Sequence, residues 1–313
     1  MDLNELARRL NALEKVDISI FQRRARVLQS IWREEQGFGC GAHKTKSNSR
    51  FLGSRLPMPW AQETLSNFLT TNIREVVRRE VCDPERSAGK LYGVPRIFND
   101  LLSSQPLCFN LFGELSIDLP LASNVVRELT KGRFSQVNSI SFEHSPGRRD
   151  ARYTGDRSAF DVFIECVTSL GGRGFIGIEV KYHENLIGPP GKHQSRYDEI
   201  ANYMACFAPD AVDTLKSEPL QQIWRDHLLA GISREVDKYD DAMFVMLYPA
   251  DNEHVRNAVT AYRHCLTDTS SFSDWTLEDI TRLIRAHSTP EWNDRFIDRY
   301  LSFEKIETQL DGN

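Results

Sequence analysis

Glu179 and Lys181 stand two residues apart in GGRGFIGIEVKYHENL, residues 171 to 186, a run whose apolar character reads as a buried strand. Side chains alternate across a strand, so Glu179 and Lys181 share one face and Ile176, Ile178 and Val180 the other. An acid and an ammonium turned out of a sheet cost free energy unless a metal, a substrate or a partner charge compensates them. A second strand-like run, SAFDVFIECV, carries Asp161 eighteen residues before Glu179. Folding the two runs about the turn signal Ser169 to Gly174 predicts a hairpin in which Asp161 meets the neighbourhood of Tyr182, with Asp161, Glu179 and Lys181 converging at one end. Paired carboxylates make a site for a hard cation, and Mg²⁺ takes one or two of them and completes its octahedron with water and substrate phosphate. A lysine beside such a site can orient or deprotonate the attacking water and stabilise charge in the transition state. The chemistry these residue types imply is metal-assisted hydrolysis of a phosphodiester.

Among the ten lysines only Lys181 has an acid two positions before it. The rival reading of the pair is a surface ion pair on an edge strand. Glu184, in Lys-Tyr-His-Glu, is placed to orient Lys181 or the helix that follows, or is a plain surface acid. Glu165 shares a strand face with Asp161 at a greater distance from the expected metal. Asp156 rivals Asp161 but belongs to a polar turn. His144, His183 and His193 fall near the site without metal-ligand spacing.

Three ordered blocks carry a wider likeness: LLSSQPLCFNLFGEL (101 to 115), FEHSPGRRDARYTGDRSAFDVFIE (142 to 165) and GFIGIEVKYHE (174 to 184). With the spacing Asp-(x)17-Glu-x-Lys, the chain resembles the PD-(D/E)xK nuclease superfamily, and within it an uncharacterised bacterial restriction-endonuclease-like group, over roughly residues 50 to 305. The proline that precedes the first Asp in the superfamily's name is replaced by Phe160. The resemblance implies a restriction-endonuclease-like α/β fold and a Mg²⁺-dependent deoxyribonuclease, with Mn²⁺ able to substitute. Asp161, Glu179 and Lys181 are then the catalytic residues, and Glu143 an added metal ligand beside Asp161 and Glu179. It also implies supporting roles for Gln194 and Tyr197, similar to a Gln and a Tyr on the helix after the lysine strand in a RecB-like branch. Defence against foreign DNA, repair, and partnership with other defence-system subunits follow by family analogy alone. The alternative is an inactive nucleic-acid-binding or assembly protein on the same fold.

A net charge of -5 hides an uneven distribution. Arg23, Arg24, Arg26, Arg33, Lys44, Lys46, Arg50 and Arg55 oppose only Glu34 and Glu35 within 22 to 55, while Lys131, Arg133, Arg148, Arg149, Arg152 and Arg157 lead into Asp161. Basic side chains near a metal site suit phosphate backbones, so Arg148, Arg149, Arg152 and Arg157 are expected to contact DNA. Solvated loop residues are the plainer alternative. Six cysteines without C-x-x-C spacing read as reduced core thiols. No membrane span or signal core is evident, which predicts a cytoplasmic protein. Nothing resembles a phosphate-binding loop.

Apolar spacing predicts helices over 3 to 16 and 19 to 34, a long helix from Pro59 to about Glu80, and helices near 95 to 103, 120 to 130, 193 to 209 and 217 to 230. Residues 37 to 56 read as a loop and 189 to 191 as a turn. Strands are predicted near 137 to 143, 160 to 168 and 174 to 182, with 242 to 252 as a central strand. Thr276 to Asp279 forms a capping pattern, and Thr289-Pro290-Glu291 is expected to start the last helix. The expected architecture is a mixed sheet of four or five strands flanked by helices, in a core over 131 to 313 with C-terminal helices, and an N-terminal helical region over 1 to 130 packed on it. Leu3, Leu6, Leu10, Leu13, Phe21, Val27, Leu28 and Ile31 would either cover that core or join two copies in a homodimer.

Overall fold

The computed structural model describes residues 1–44, 49–188 and 191–311. From the N-terminus come α1 (Leu3–Arg9), α2 (Ile20–Glu35), β1 (Gly41–Lys44) and β2 (Ser49–Leu52). They are followed by α3 (Trp60–Thr64), α4 (Thr71–Val77), a π turn at Arg78–Cys82, α5 (Pro84–Ser87), α6 (Arg96–Asn99) and α7 (Ser104–Leu115). The chain continues through α8 (Leu119–Leu129), β3 (Phe134–His144), β4 (Phe160–Thr168), β5 (Arg173–Val180), α9 (Ser195–Met204), α10 (Val212–Leu215) and α11 (Gln221–Val236). It ends with β6 (Asp241–Tyr248), α12 (Glu253–His264), β7 (Phe272–Thr276), α13 (Leu277–His287), α14 (Glu291–Tyr300) and α15 (Glu304–Asp311). Two compact units divide these elements: Met1–Glu114 with Tyr182–Glu184 and Thr289–Asn313, and Leu115–Lys181 with Asn185–Ser288.

The second unit holds a five-stranded sheet in the order β3-β4-β5-β6-β7. β3 with β4 and β4 with β5 are antiparallel, whereas β5 with β6 and β6 with β7 are parallel, so the sheet is mixed as expected. β6 is buried along nearly its whole length, as a strand with parallel partners on both sides requires. Asp118 caps α8 by accepting from the Leu121 N–H, and the helix stops just before Lys131 and Gly132, which take left-handed conformations. α8 packs on β3, and α13 packs on α8 and β7. Against the other face lies an apolar cluster that joins Phe163, Phe175, Phe244 and Met246 to Tyr197, Trp224, Leu228 and Val259.

In the first unit Leu6, Leu10, Val27, Leu28, Ile31 and Ile306 close one apolar cluster. A second tie is Arg299, fully buried, whose guanidinium donates to the Asn67 carbonyl and side-chain oxygens at 2.7 and 2.6 Å and lies over the Trp32 ring. Tyr182 belongs here too, its hydroxyl accepting from Gln29 at 3.1 Å and its ring edge-on to Tyr300.

Several expectations are corrected. α1 stops at Arg9 rather than 16, because Asn11 turns left-handed, which asparagine tolerates. Within 37 to 56 the chain forms the β1–β2 hairpin, with Gly41 opposite Leu52; a side chain at Gly41 would meet the Leu56 carbonyl at 2.2 Å. Strands this short and polar leave little periodic signal. The long helix from Pro59 is broken after α3 by left-handed Leu65, and Thr70 caps a new start by accepting from Ile73 N–H. Buried Asn67 within that break uses its amide on the Ile97 carbonyl, a tertiary bond that local propensity cannot register. The helix expected over 95 to 103 is confined to Arg96–Asn99, α7 begins at Ser104, and α15 follows the helix expected to be last. Residues 189 and 190 of the predicted turn lie outside the described residues. All six cysteines are free, but Cys82 is exposed rather than a core thiol. No helix among the described residues is long and apolar enough to cross a membrane.

Candidate active site

β4 and β5 pair with Val162 opposite Ile178 and Phe163 opposite Gly177, which brings Asp161 level with Glu179 and Val180 and not with Tyr182. The turn is tighter than expected: Thr168 N–H reaches the Gly172 carbonyl at 2.9 Å, with Gly171 at φ 83°. Ile176, Ile178 and Val180 are fully buried, each contributing about 1.5–3 kcal/mol. That holds β5 in the sheet despite the acid and the ammonium on its other face. On that face Gly177 leaves room for the Phe160 ring, which a side chain would strike at 2.5 Å.

Asp161, Glu179 and Lys181 do converge. The Asp161 carboxylate accepts from the Val180 N–H at 2.9 Å. Lys181 donates its Nζ to Glu179 Oε1 at 2.7 Å, and both residues are buried, at 8% and 7% exposure. Burial and then the neighbouring Glu179 charge hold the Asp161 carboxyl well above the usual range, against the pull of Lys181 and the Val180 N–H.

α11 adds groups that sequence reasoning missed. Gln222 donates its amide to the same Glu179 oxygen at 2.6 Å. One turn on, Asp226 is 3% exposed, and its Oδ2 has no hydrogen-bond partner. Burial and the Glu179 charge raise its pKa well above the carboxyl range, while Arg225 and Lys181 oppose the rise. Arg225, on the same helix, lies 3.6 Å from Asp156. The available signal was an acid inside IWRDHLL, since Trp224, His227, Leu228 and Leu229 are buried around it and a helix buried on nearly all sides has no solvated stripe for a charge.

The remaining candidates are dispersed. Glu143, at φ 48° near the end of β3, pairs with Arg148 at 3.0 Å, though its charge is felt at Asp161. Arg148 also donates to the Arg157 carbonyl at 3.1 Å, and Arg152 pairs with Asp150 at 2.7 Å; Arg149 and Arg157 are exposed. Tyr197 donates to Asp156 at 2.7 Å, so it braces the polar turn that Asp156 organises through Thr154 and Ser158. Gln194 precedes α9 and accepts the Tyr197 N–H on its carbonyl at 3.0 Å. Glu184 belongs to the first unit, where it accepts from the backbone N–H groups of Tyr182 and Ser104 at 2.9 and 3.3 Å. Glu165 bonds Ser139 and Tyr239 farther along β4. His144 stacks on Phe163, His183 meets Asp17 and His193 meets Asp198.

The donor set at Asp161 and Glu179 fits a hard divalent cation: two withdrawn carboxylates repel one another, and a cation between them would relieve it. Among the described residues no three His, Cys, Asp or Glu side chains are grouped as a metal cage. Two protein carboxylates completed by water are sufficient for Mg²⁺. No curated protein and no solved structure matches the chain at a significant level. The family description that does match, over residues 15–302, takes in the whole mixed sheet and every residue of this site, and the chain belongs to the PD-(D/E)XK nuclease superfamily.

Proposed function

We propose that this protein is a Mg²⁺-dependent deoxyribonuclease, with Mn²⁺ able to substitute, that hydrolyses DNA phosphodiester bonds. The observation that supports it most is the meeting of Asp161, Glu179 and Lys181 at the ends of two adjacent strands. Asp161 and Glu179 would hold the cation, which when bound supplies Lewis-acid polarisation of the phosphate. Lys181, an ammonium anchored on Glu179, would orient the attacking water and stabilise the charge that develops on the phosphate. Arg149 and Arg157 would take backbone phosphates beside the site, with Arg148 and Arg152 exchanging their acidic partners for phosphate. Foreign-DNA defence or repair in the cytoplasm, a homodimer, and association with other defence subunits are the biological setting we propose for it. Incubating the pure protein with supercoiled and linear DNA in Mg²⁺, Mn²⁺ or EDTA tests the activity. Metal-dependent nicking or degradation is expected; DNA bound but uncut in every metal would leave a binding protein on the nuclease fold.

A further inference from the structure

Glu179 Oε1 receives two donors at once, Lys181 Nζ at 2.7 Å and Gln222 Nε2 at 2.6 Å. A carboxylate only accepts, so the Gln222 side chain must present its NH₂ rather than its carbonyl to Glu179. The two donors come from different elements, Lys181 from the end of β5 and Gln222 from α11, and together they fix the carboxylate from two directions. With one oxygen committed twice, the other is the one left to offer a cation. Glu179 has a close alternative if Gln222 is lost: an unrestrained carboxylate would turn both oxygens toward the ammonium, the strongest donor within reach. α11 itself is held without Gln222, since Trp224, Leu228 and Leu229 are buried in the apolar cluster against the sheet.

We propose that Gln222 is a positioning residue for the metal-dependent reaction: it holds Glu179 so that one oxygen stays on Lys181 and the other faces the cation. The inference rests on the proposed metal reading of Asp161 and Glu179 and assigns α11 a part in the site that neither strand supplies. Groups that hydrogen-bond metal ligands typically change metal affinity by about 10–100-fold when removed. Gln222→Met keeps length and volume and removes the donor. Gln222→His places a ring N–H as many bonds from Cβ as the glutamine amide, and so keeps it.

Titrating the full chain with Mn²⁺ alone, followed by calorimetry, distinguishes the possibilities, with thermal melting confirming that each variant folds. We expect wild type to bind, Gln222→Met to bind roughly tenfold or more weakly, and Gln222→His to keep most of the affinity. Equal affinity for wild type and Gln222→Met, with Glu179→Gln still losing binding, overturns the role of Gln222 and leaves the metal reading standing. Equal weakening in Met and His variants would mean that Gln222 acts through packing, which also overturns it. A wild-type chain that binds no Mn²⁺ would overturn both.

Discussion

Lys181 and Glu179 are buried as a pair, so the choice of substitution decides what a mutation reports. Removing one partner of a buried ion pair costs about 3–5 kcal/mol because the other charge is stranded. Neutral replacements of similar shape, Glu179→Gln and Lys181→Met, are therefore the informative variants. Asp161 and Asp226 present the opposite case, since burial and the Glu179 charge raise both pKa values. The folded chain then binds their protons more tightly than the unfolded chain. Their contribution to stability is present below the ordinary carboxyl range and is lost as pH rises through the raised values. Without metal, Asp226→Asn should therefore melt above wild type at pH 8, by roughly 2–4 °C for each kcal/mol recovered, and the gap should close toward pH 4. Melts across that pH range in EDTA check this, and an Asp226→Asn variant that melts below wild type at pH 8 would contradict it. Such destabilising acids are what a site kept for chemistry rather than stability would hold.

The strands that carry the site were legible because their signal is local. The alternation in β5, the continuous apolar run of β6 and the glycine-rich turn all lie within a few residues. The register was misread because a six-residue turn signal closes at Thr168 and Gly172. α11 was legible as a helix but not as a wall of the site, since Gln222 and Asp226 reach Glu179 from residues more than forty positions away in sequence. The break after α3 escaped for the same reason, being fixed by Asn67 contacts with distant residues. At this scale the loop between β3 and β4 makes a graded prediction. Each phosphate contact contributes about 0.9 to the slope of log affinity against log salt on duplex DNA. Arg148 and Arg152 would give up an acidic partner for each phosphate they take, so replacing Arg148, Arg149 and Arg152 with Ala should lower that slope by nearer one contact's worth than three. DNA-binding isotherms over a salt series measure it, and an unchanged slope would place the loop in solvent.

For the whole molecule, the apolar residues of α1 and α2 are mostly inside the first unit, where Leu6, Leu10, Val27, Leu28 and Ile31 close on Ile306. They form the core of their own unit, so deleting residues 1–35 should unfold that unit rather than simply part a dimer. Circular dichroism melts of the shortened chain check this; a deletion that keeps the full cooperative transition would contradict it. The superfamily and the mixed sheet were both readable from the ordered blocks around Asp161, Glu179 and Lys181. The central claim is that these three residues form one metal-dependent hydrolytic site. Its most direct test is the rate of DNA cleavage across a Mg²⁺ series by wild type, Asp161→Asn, Glu179→Gln and Lys181→Met, each shown to melt as a folded protein. The account predicts Mg²⁺-dependent cleavage by wild type and a loss of at least about 100-fold in every variant, the scale of a removed acid–base or charge-stabilising group. Cleavage at the wild-type rate by any one of them, or by wild type in EDTA, would contradict it.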